Sequence, residues 1–173
     1  LGSVTEGDIA RISFGQTIAV TPLQLAMSTA ALVNGGVYYE PYLVGEILDK
    51  NGRVVENIPP KSKGRVVSEQ ASKTLAGYLE RVVSEGSGNK AYIEGYRVGG
   101  KTGTAQKYEN GVIAQGKYIM SFVGFFPAND PEYLALCVVD EPVGGSYGST
   151  VAAPLVKEVF EKIISAKKIA PFA

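Results

Sequence analysis

Four consecutive residues near the middle of the chain, Lys101-Thr102-Gly103-Thr104, suit two different kinds of chemistry. Together with the preceding residues from Gly95, they complete the phosphate-loop pattern G-x-x-x-x-G-K-[ST], in which a lysine and backbone N–H groups hold the phosphates of a nucleotide. Taken alone, the letters K-T-G form a sequence that serves acyl transfer to a serine. The residues on either side of this stretch distinguish between the two interpretations, a nucleotide binder and an acyltransferase.

The flanking residues disfavour the nucleotide binder. A phosphate loop must follow a buried strand and open a helix, whose N-terminus then faces the phosphates. Residues 102–111 contain Gly103 and end in the turn sequence Asn110-Gly111, so they predict a strand and a turn rather than a helix. Residues 96–98 are bulky and strand-prone where a phosphate loop needs a compact turn.

The acyl-transfer interpretation requires an exposed strand beside a cleft. Lys101 would place a cation near a substrate carboxylate and a serine. The hydroxyls of Thr102 and Thr104 lie on one face of a strand, because side chains alternate between faces. Gly103 leaves the backbone open to an extended peptide that binds edge-on. A backbone N–H near Thr104 can supply half of an oxyanion hole. The candidate catalytic residues are therefore Lys101 and Thr104, and the candidate substrate-binding residues are Thr102, Gly103 and Thr104.

Composition excludes several other classes of function. The 173 residues suffice for one domain, and 17 basic side chains balance 17 acidic ones, so nucleic acid and anionic membrane surfaces are disfavoured as partners. The chain has no histidine, which excludes Ser-His-Asp, Cys-His and His-ligated metal mechanisms within these residues. No apolar stretch is long enough to span a membrane. The single cysteine, Cys137, lies in an apolar run and is predicted to be a buried structural thiol.

Capping residues, apolar periodicity and turn sequences predict three helices and five main strands. The helices begin after Thr21, Ser68 and Pro154, and the second is predicted to pack through Ala71, Leu75, Tyr78, Leu79 and Val82. The strands are residues 42–48 and 53–58, then 96–106, 118–126 and 133–140. This order predicts an α+β fold that contains an antiparallel meander with a helix laid on it.

Beyond these local signals, residues 100–106 (Gly-Lys-Thr-Gly-Thr-Ala-Gln) resemble the third active-site motif of class B penicillin-binding proteins. Three further stretches match that family in the same order, and together they cover nearly the whole chain: residues 13–16 with 20–26 and 34–36, residues 121–127, and Ala153-Pro154 with the helix that follows. Residues 15–20 are similar to the sporulation-type branch of the family.

The resemblance implies a penicillin-binding transpeptidase fold like that of serine β-lactamases, an α/β sandwich in which an antiparallel sheet is flanked by helices. It implies no metal or other cofactor. Members of the family are D,D-transpeptidases that cross-link peptidoglycan stem peptides through an acyl-serine, and β-lactams acylate the same serine. Their sites combine three motifs, S-x-x-K, S-x-N and K-T-G, and a lysine acts as the base, so a missing histidine is expected. The implied parent protein is anchored in the bacterial membrane, faces outward, shapes the cell wall and can have other wall-synthesis proteins as partners.

Only K-T-G occurs here in a suitable context. Residues 87–90 (Ser-Gly-Asn-Lys) fit both S-x-x-K and S-x-N, but they follow the end of a helix and predict a turn. Residues 165–168 fit S-x-x-K but close the last helix, after K-T-G. Residues 108–110 (Tyr-Glu-Asn) imitate a Y-x-N variant and predict a hairpin turn. The Gly-rich residues 144–149 predict a loop that can border a site.

We therefore expect residues 1–173 to be the C-terminal portion of a transpeptidase domain. The S-x-x-K and S-x-N motifs would lie upstream of residue 1, so the nucleophile would not be in this chain and the segment alone would be inactive. Two alternatives remain at this point. One is a non-catalytic β-lactam-binding sensor or scaffold of the same fold. The other is a D,D-carboxypeptidase, in which water instead of an amine accepts the acyl group.

Overall fold

The computed structural model describes residues 4–13, 15–16, 18–144 and 147–172. Its helices are α1 (Glu6–Ile12), α2 (Pro22–Val33), α3 (Glu69–Ser84), α4 (Gly148–Val151) and α5 (Ala153–Lys167), with a 3₁₀ turn at Asn89–Ala91. Its strands are β1 (Val37–Tyr39), β2 (Glu46–Leu48), β3 (Val54–Asn57), β4 (Ser62–Arg65), β5 (Gly99–Glu109), β6 (Val112–Phe126) and β7 (Tyr133–Asp140). This is the predicted α+β architecture.

The main sheet is an antiparallel meander in the order β5-β6-β7. β5 and β6 are joined through Asn110 and Gly111, whose φ angles are +51° and +81°. Positive φ at both central residues is the geometry of a two-residue type I′ hairpin, and an Asn-Gly pair favours it. The hairpin turn predicted at residues 108–110 is present but lies slightly later, at Asn110 and Gly111, because Tyr108 and Glu109 still pair with β6. β6 begins at Val112, six residues before its predicted start, because pairing with β5 continues to the turn.

Helices cover both faces of this sheet. On one face, Phe122 and Phe126 of β6 pack with Val156 and Phe160 of α5. On the other face, Phe125 packs with Val33 of α2 and Ala76 of α3, which form a second core cluster. The faces alternate along β6 because successive side chains of a strand point in opposite directions. The core thus lies on the two sides of β6, and β5 and β7 form the margins of the sheet.

The helix predicted after Ser68 is present, and its predicted buried face is correct only in part, because Leu79 packs against the second core cluster but the fully buried residues are different ones. Ser72, Ala76 and Val83 are the buried residues of α3, whereas Tyr78 is 63% exposed. The hydroxyl of Ser72 accepts a hydrogen bond of 3.0 Å from the Gly35 N–H. This contact and the small side chains bring α3 close to the turn after α2. A stripe of apolar residues does not reveal this polar contact. The sequence therefore predicted a buried face of α3 that lies about one position away from the observed one.

The predicted hairpin of residues 42–58 forms with shorter strands. β2 and β3 pair antiparallel around residues 49–52, where the Asp49 carboxylate accepts the N–H groups of Asn51 and Arg53. Leu43 is fully exposed, and every residue of β2 and β3 is exposed. Without a covering layer, the first strand begins at Glu46 instead of residue 42. β1 and β4 form a separate antiparallel pair.

The single cysteine is less buried than the sequence predicted. Cys137 is only partly buried, because β7 lies at the margin of the sheet, and burial raises the pKa of its thiol.

Within the residues that the structure describes, no helix combines the length and the apolar character needed to cross a membrane.

The start of α2 provides a test of helix capping. The Thr21 hydroxyl accepts the Gln24 N–H at 3.1 Å, and the Gln24 side chain accepts the Thr21 N–H at 2.9 Å. We expect Thr21→Ala to lower the free energy of unfolding by about 1 kcal/mol, because it leaves a helix N–H without its acceptor. Urea unfolding followed by circular dichroism measures the change. Thr21→Ser keeps the cap and should unfold close to the wild type; equal losses for both substitutions would contradict this role.

Candidate active site

The K-T-G sequence lies in the first half of β5, at the margin of the main sheet. Lys101 pairs with Val123 of β6, and Thr104 pairs with Met120. β5 runs without interruption from Gly99 to Glu109, so no helix opens after Lys101. The phosphate-loop interpretation is therefore wrong, because its anion site requires a helix N-terminus at this point. Among the described residues, no strand pairs with the outer edge of β5.

The register of β5 places its functional groups on two faces. Lys101 and Gly103 lie on the face covered by α2 and α3, because they pair with residues that share this face with Phe125. Thr102 and Thr104 lie on the opposite face, and thus share a face with each other as predicted. A single ligand can reach Lys101 and both threonines only along the open edge of the strand.

The Lys101 side chain is exposed and folds along its own strand. Its Nζ donates a hydrogen bond of 2.9 Å to the carbonyl oxygen of Thr102. This contact holds the ammonium group against the backbone of its own strand. The residue is a surface cation with one backbone partner, so it can exchange that partner for a ligand at little structural cost.

Glycines bring three backbone segments together at this position. A Cβ on Gly103 would lie 2.4 Å from the Ser121 hydroxyl oxygen on β6. A Cβ on Gly148, the first residue of α4, would lie 2.4 Å from the Gly103 carbonyl oxygen and 2.5 Å from that of Ser121. Position 148 therefore requires glycine for steric reasons, because the atoms it would meet belong to the backbone, whereas a side chain at position 103 would require the Ser121 hydroxyl to move. Gly148 rests directly on the candidate strand.

The Thr104 hydroxyl accepts a hydrogen bond from the backbone of Gly148, and within the part of the chain that the structure describes it has no other hydrogen-bond partner. The Gly148 N–H donates to Thr104 Oγ1 at 3.2 Å. Sequence analysis missed this residue, although it predicted that the Gly-rich loop of residues 144–149 can border a site. Two residues of that loop, Gly145 and Ser146, lie outside the described residues. The clustered glycines were the signal for a close backbone approach.

An apolar groove of about 640 Å³ adjoins the strand on the Lys101 face. The sheet contributes Ala105, Ile119 and Val138, and the segment that leads into α2 contributes residues that include Ile18, Val20 and Leu25. Ile18 and Val20 are about half exposed. The groove therefore offers apolar surface next to the candidate site, on the same side of the sheet as Lys101.

Charged side chains gather at the far end of β5. The Nζ of Lys107 lies 2.6 Å from a carboxylate oxygen of Glu141 and 2.9 Å from one of Asp140. Hydrogen bonds to Glu141 and Asp140 raise the pKa of Lys107, and Lys107 in turn lowers the pKa of Glu141. Lys107 is therefore a firmly protonated cation, held three positions from Thr104.

The other serine motifs are placed as the sequence predicted. Ser87 is exposed in the turn after α3, and the residues from Asn89 form a 3₁₀ turn instead of the first turn of an α-helix. Ser165 is exposed near the C-terminal end of α5. Neither serine shares a helix face with a lysine as an S-x-x-K nucleophile does, because Ser87 precedes a 3₁₀ turn and Ser165 is followed at Lys168 by the left-handed helix end.

Comparison with known proteins agrees with this geometry. The family described as the penicillin binding protein transpeptidase domain matches residues 3–161. Stage V sporulation protein D of Bacillus subtilis is 45% identical over 152 residues, which cover 87% of this chain and 24% of that protein. A peptidoglycan D,D-transpeptidase FtsI homolog of Mesostigma viride is 39% identical over 173 residues, which cover 92% of this chain and 29% of that protein.

A solved structure shows the same fold. Penicillin-binding protein 3 of Mycobacterium tuberculosis, complexed with ampicillin, matches with a TM-score of 0.82 and 28% identity, over 94% of this chain and 38% of that one. The chain thus spans about a quarter of the length of the curated relatives it matches. The matched family, the fold and the K-T-G strand agree, and we conclude that the chain belongs to the penicillin-binding protein transpeptidase family, as part of a class B transpeptidase domain.

Proposed function

We propose that this chain supplies the K-T-G strand to a peptidoglycan D,D-transpeptidase that β-lactams inhibit. The observation that carries the proposal is the position of Lys101, Thr102 and Thr104 around the open edge of β5. An extended peptide added to that edge contacts the cation from one face and both hydroxyls from the other. The names of the relatives, which include peptidoglycan D,D-transpeptidases, support the same reaction class.

Each residue of the strand has a proposed role. The Lys101 ammonium group stabilises negative charge and takes part in proton transfer near the serine. The hydroxyls of Thr102 and Thr104 bind the substrate carboxylate, and a backbone N–H near Thr104 polarises the reacting carbonyl. Gly103 keeps the strand free of a side chain at the point of contact. No metal or cofactor is needed for these roles.

The reaction would proceed by two acyl transfers. The hydroxyl oxygen of a serine attacks a carbonyl of one stem peptide and loses its proton to a lysine base. The peptide C–N bond breaks, and the departing amine takes up a proton. An amine of a second stem peptide then attacks the acyl-serine: the new C–N bond of the cross-link forms, the ester C–O bond to the serine breaks, and the proton that the attacking amine loses passes to the serine oxygen.

We further propose that the serine and its lysine come from an upstream half of the same domain. The exposed positions of Ser87 and Ser165, outside any S-x-x-K helix geometry, support this assignment. The apolar groove beside β5 supports it as well, because it leaves apolar residues such as Val138 uncovered. Residues 1–173 are then the C-terminal portion of the domain, and S-x-x-K and S-x-N precede residue 1.

The wider setting follows from the reaction. Stem peptides and β-lactams are the proposed ligands, other wall-synthesis proteins are proposed partners, and nucleic acid is not a partner. Peptidoglycan lies outside the membrane, so the domain would work on the extracytoplasmic face, carried by a membrane-anchored parent protein. This setting rests on the family and the named relatives.

Labelling with a fluorescent penicillin tests the proposal. We expect covalent labelling of the full-length protein that carries this chain and no labelling of the separate 173-residue chain, because the chain lacks the nucleophile. The adduct is read on a denaturing gel, with Ser87→Ala and Ser165→Ala in the full-length protein as controls that keep the signal. A labelled separate chain, or loss of signal in either control, would show that the nucleophile lies within these residues.

Product analysis then separates the two acyl acceptors. A transpeptidase joins the acyl group to an added amine, whereas a carboxypeptidase releases the shortened peptide by transfer to water. Mass spectrometry of a stem-peptide substrate, incubated with and without an amine acceptor, distinguishes the two products. A full-length protein that labels with penicillin but forms neither product would instead be a sensor.

A further inference from the structure

A backbone N–H group of α4 lies against the candidate strand. Gly148, the first residue of α4, donates this N–H to the hydroxyl oxygen Oγ1 of Thr104 at 3.2 Å. The first N–H groups of a helix have no acceptor within the helix itself, and a buried N–H group needs one. Gly148 is buried, so the Thr104 hydroxyl supplies an acceptor that α4 itself cannot supply.

Contacts of Gly148 itself fix the position of this N–H. A Cβ on Gly148 would lie 2.4 Å from the carbonyl oxygen of Gly103 and 2.5 Å from that of Ser121, so the start of α4 rests on the backbones of β5 and β6. Further along the chain, Ala152 and Ala153 are fully buried in the core under α5. The N–H is therefore held in place by the sheet on which it rests and by the helix that follows it.

The chemistry of the two groups gives this hydrogen bond one direction. A backbone N–H can only donate, whereas a hydroxyl group has one proton to donate and two lone pairs that accept. The Thr104 oxygen is therefore the acceptor, and its own proton cannot point towards the Gly148 nitrogen. Because Thr104 is exposed, that proton is available to a ligand that binds beside the strand.

We propose that Gly148 is a positioning residue for the candidate site, whose N–H keeps the Thr104 hydroxyl oriented as a donor to the substrate carboxylate. A carboxylate oxygen only accepts hydrogen bonds, so a hydroxyl group that is already committed as a donor matches it. A group that is oriented before the ligand arrives loses less freedom on binding, which strengthens binding. The inference rests on the proposed role of Thr104 in binding that carboxylate.

Substitutions at both positions test this inference in the full-length protein. We expect Thr104→Val to lower the second-order rate of penicillin acylation about 10-fold or more, because a hydrogen bond to a charged group is lost. Thr104→Ser keeps the hydroxyl group and should recover most of the rate. Gly148→Ala should lower the rate about 3- to 10-fold, mainly through weaker initial binding, because the hydroxyl group loses its oriented partner.

Gly77→Ala is the matched control for Gly148→Ala. Gly77 is exposed on α3, and a Cβ there would meet no atom beyond its own helix within 4 Å. The same change of glycine to alanine should therefore leave the acylation rate at the wild-type value.

A double-mutant cycle separates positioning from a general displacement of the strand. If Gly148 acts through Thr104, then Gly148→Ala should have little further effect in a Thr104→Val background, since coupled residues are not additive. Full additivity of the two substitutions would overturn the inference, and so would a wild-type acylation rate for Gly148→Ala. A wild-type full-length protein that penicillin does not acylate would instead refute the proposed function.

Hydrogen exchange of the Gly148 amide tests the contact without a substitution at position 148, and therefore also serves if Gly148→Ala does not fold. We expect faster exchange in Thr104→Val, because the buried N–H has lost its acceptor, and nearly wild-type exchange in Thr104→Ser and Gly77→Ala. Mass spectrometry of the full-length protein after exchange in heavy water gives the comparison. Unchanged exchange in Thr104→Val would contradict the link between Gly148 and Thr104.

Discussion

Lys101→Ala in the full-length protein is expected to slow acylation by penicillin about 10²- to 10³-fold. This is the usual effect of removing one preorganised group that stabilises developing negative charge. The fold should be unchanged, because the side chain is exposed and its hydrogen bond goes to the carbonyl oxygen of Thr102 on its own strand. Stopped-flow or quenched-gel kinetics at several penicillin concentrations give the rate.

Two further lysine substitutions sharpen this experiment. Lys101→Arg keeps the positive charge but exchanges protons poorly, so we expect a rate between those of the wild type and of Lys101→Ala. Lys90→Ala changes another exposed lysine, in the 3₁₀ turn after α3, and should acylate normally. A normal rate for Lys101→Ala would refute the role assigned to the β5 strand.

The second large effect concerns stability. We expect Phe160→Ala to lower the free energy of unfolding by about 3–5 kcal/mol, the usual range for emptying an aromatic site in a core. Phe160 is fully buried, and its ring centroid lies 5.8 Å from that of Phe126 on β6. A Cβ on Gly124 would lie 3.1 Å from the Phe160 ring, so the helix is packed tightly on the sheet and the site has little freedom to collapse.

The neighbouring residue provides the matched control. Val159 lies on the same helix but is 45% exposed, so Val159→Ala should change stability by no more than about 0.5 kcal/mol. Urea unfolding of all three proteins gives the comparison. If Phe160→Ala and Val159→Ala lose the same amount, then α5 does not contribute the core contacts described above.

Local features of the fold were predictable from the sequence. Thr21, Pro22 and Gln24 define the start of α2 because a capping box involves residues only three positions apart. Asn110-Gly111 defines the β5–β6 turn because few residues adopt positive φ there. Residues 133–140 form β7 with the predicted bounds. Each of these signals is contained in a few consecutive residues.

Long-range contacts were not predictable in this way. The Gly148 N–H and the Thr104 hydroxyl are 44 positions apart in the chain, and Lys107 and Asp140 are 33 positions apart. No local pattern records such pairs, because they depend on how the meander folds back on itself. The buried face of α3 was partly misplaced for a similar reason, since Ser72 is buried by its contact with Gly35.

In the candidate site, too, local features were predictable from the sequence and long-range contacts were not. The sequence indicated which residues of K-T-G carry chemical groups, and alternation along a strand placed the two threonines on one face. It did not show that β5 lies at the margin of the sheet, nor that Gly148 returns to it. The predicted roles of Lys101, Thr102, Gly103 and Thr104 stay predictions until the experiments above are done.

The position of β7 at the other margin of the sheet has a practical consequence for handling the separate chain. Among the described residues, β7 pairs only with β6, and its sequence from Leu134 to Val139 is apolar throughout. An apolar strand whose outer edge has no strand partner is a template for strands of other molecules, including further copies of itself. Protein concentration therefore becomes a variable in every solution measurement on the separate chain, and dilute samples give the least distorted unfolding curves.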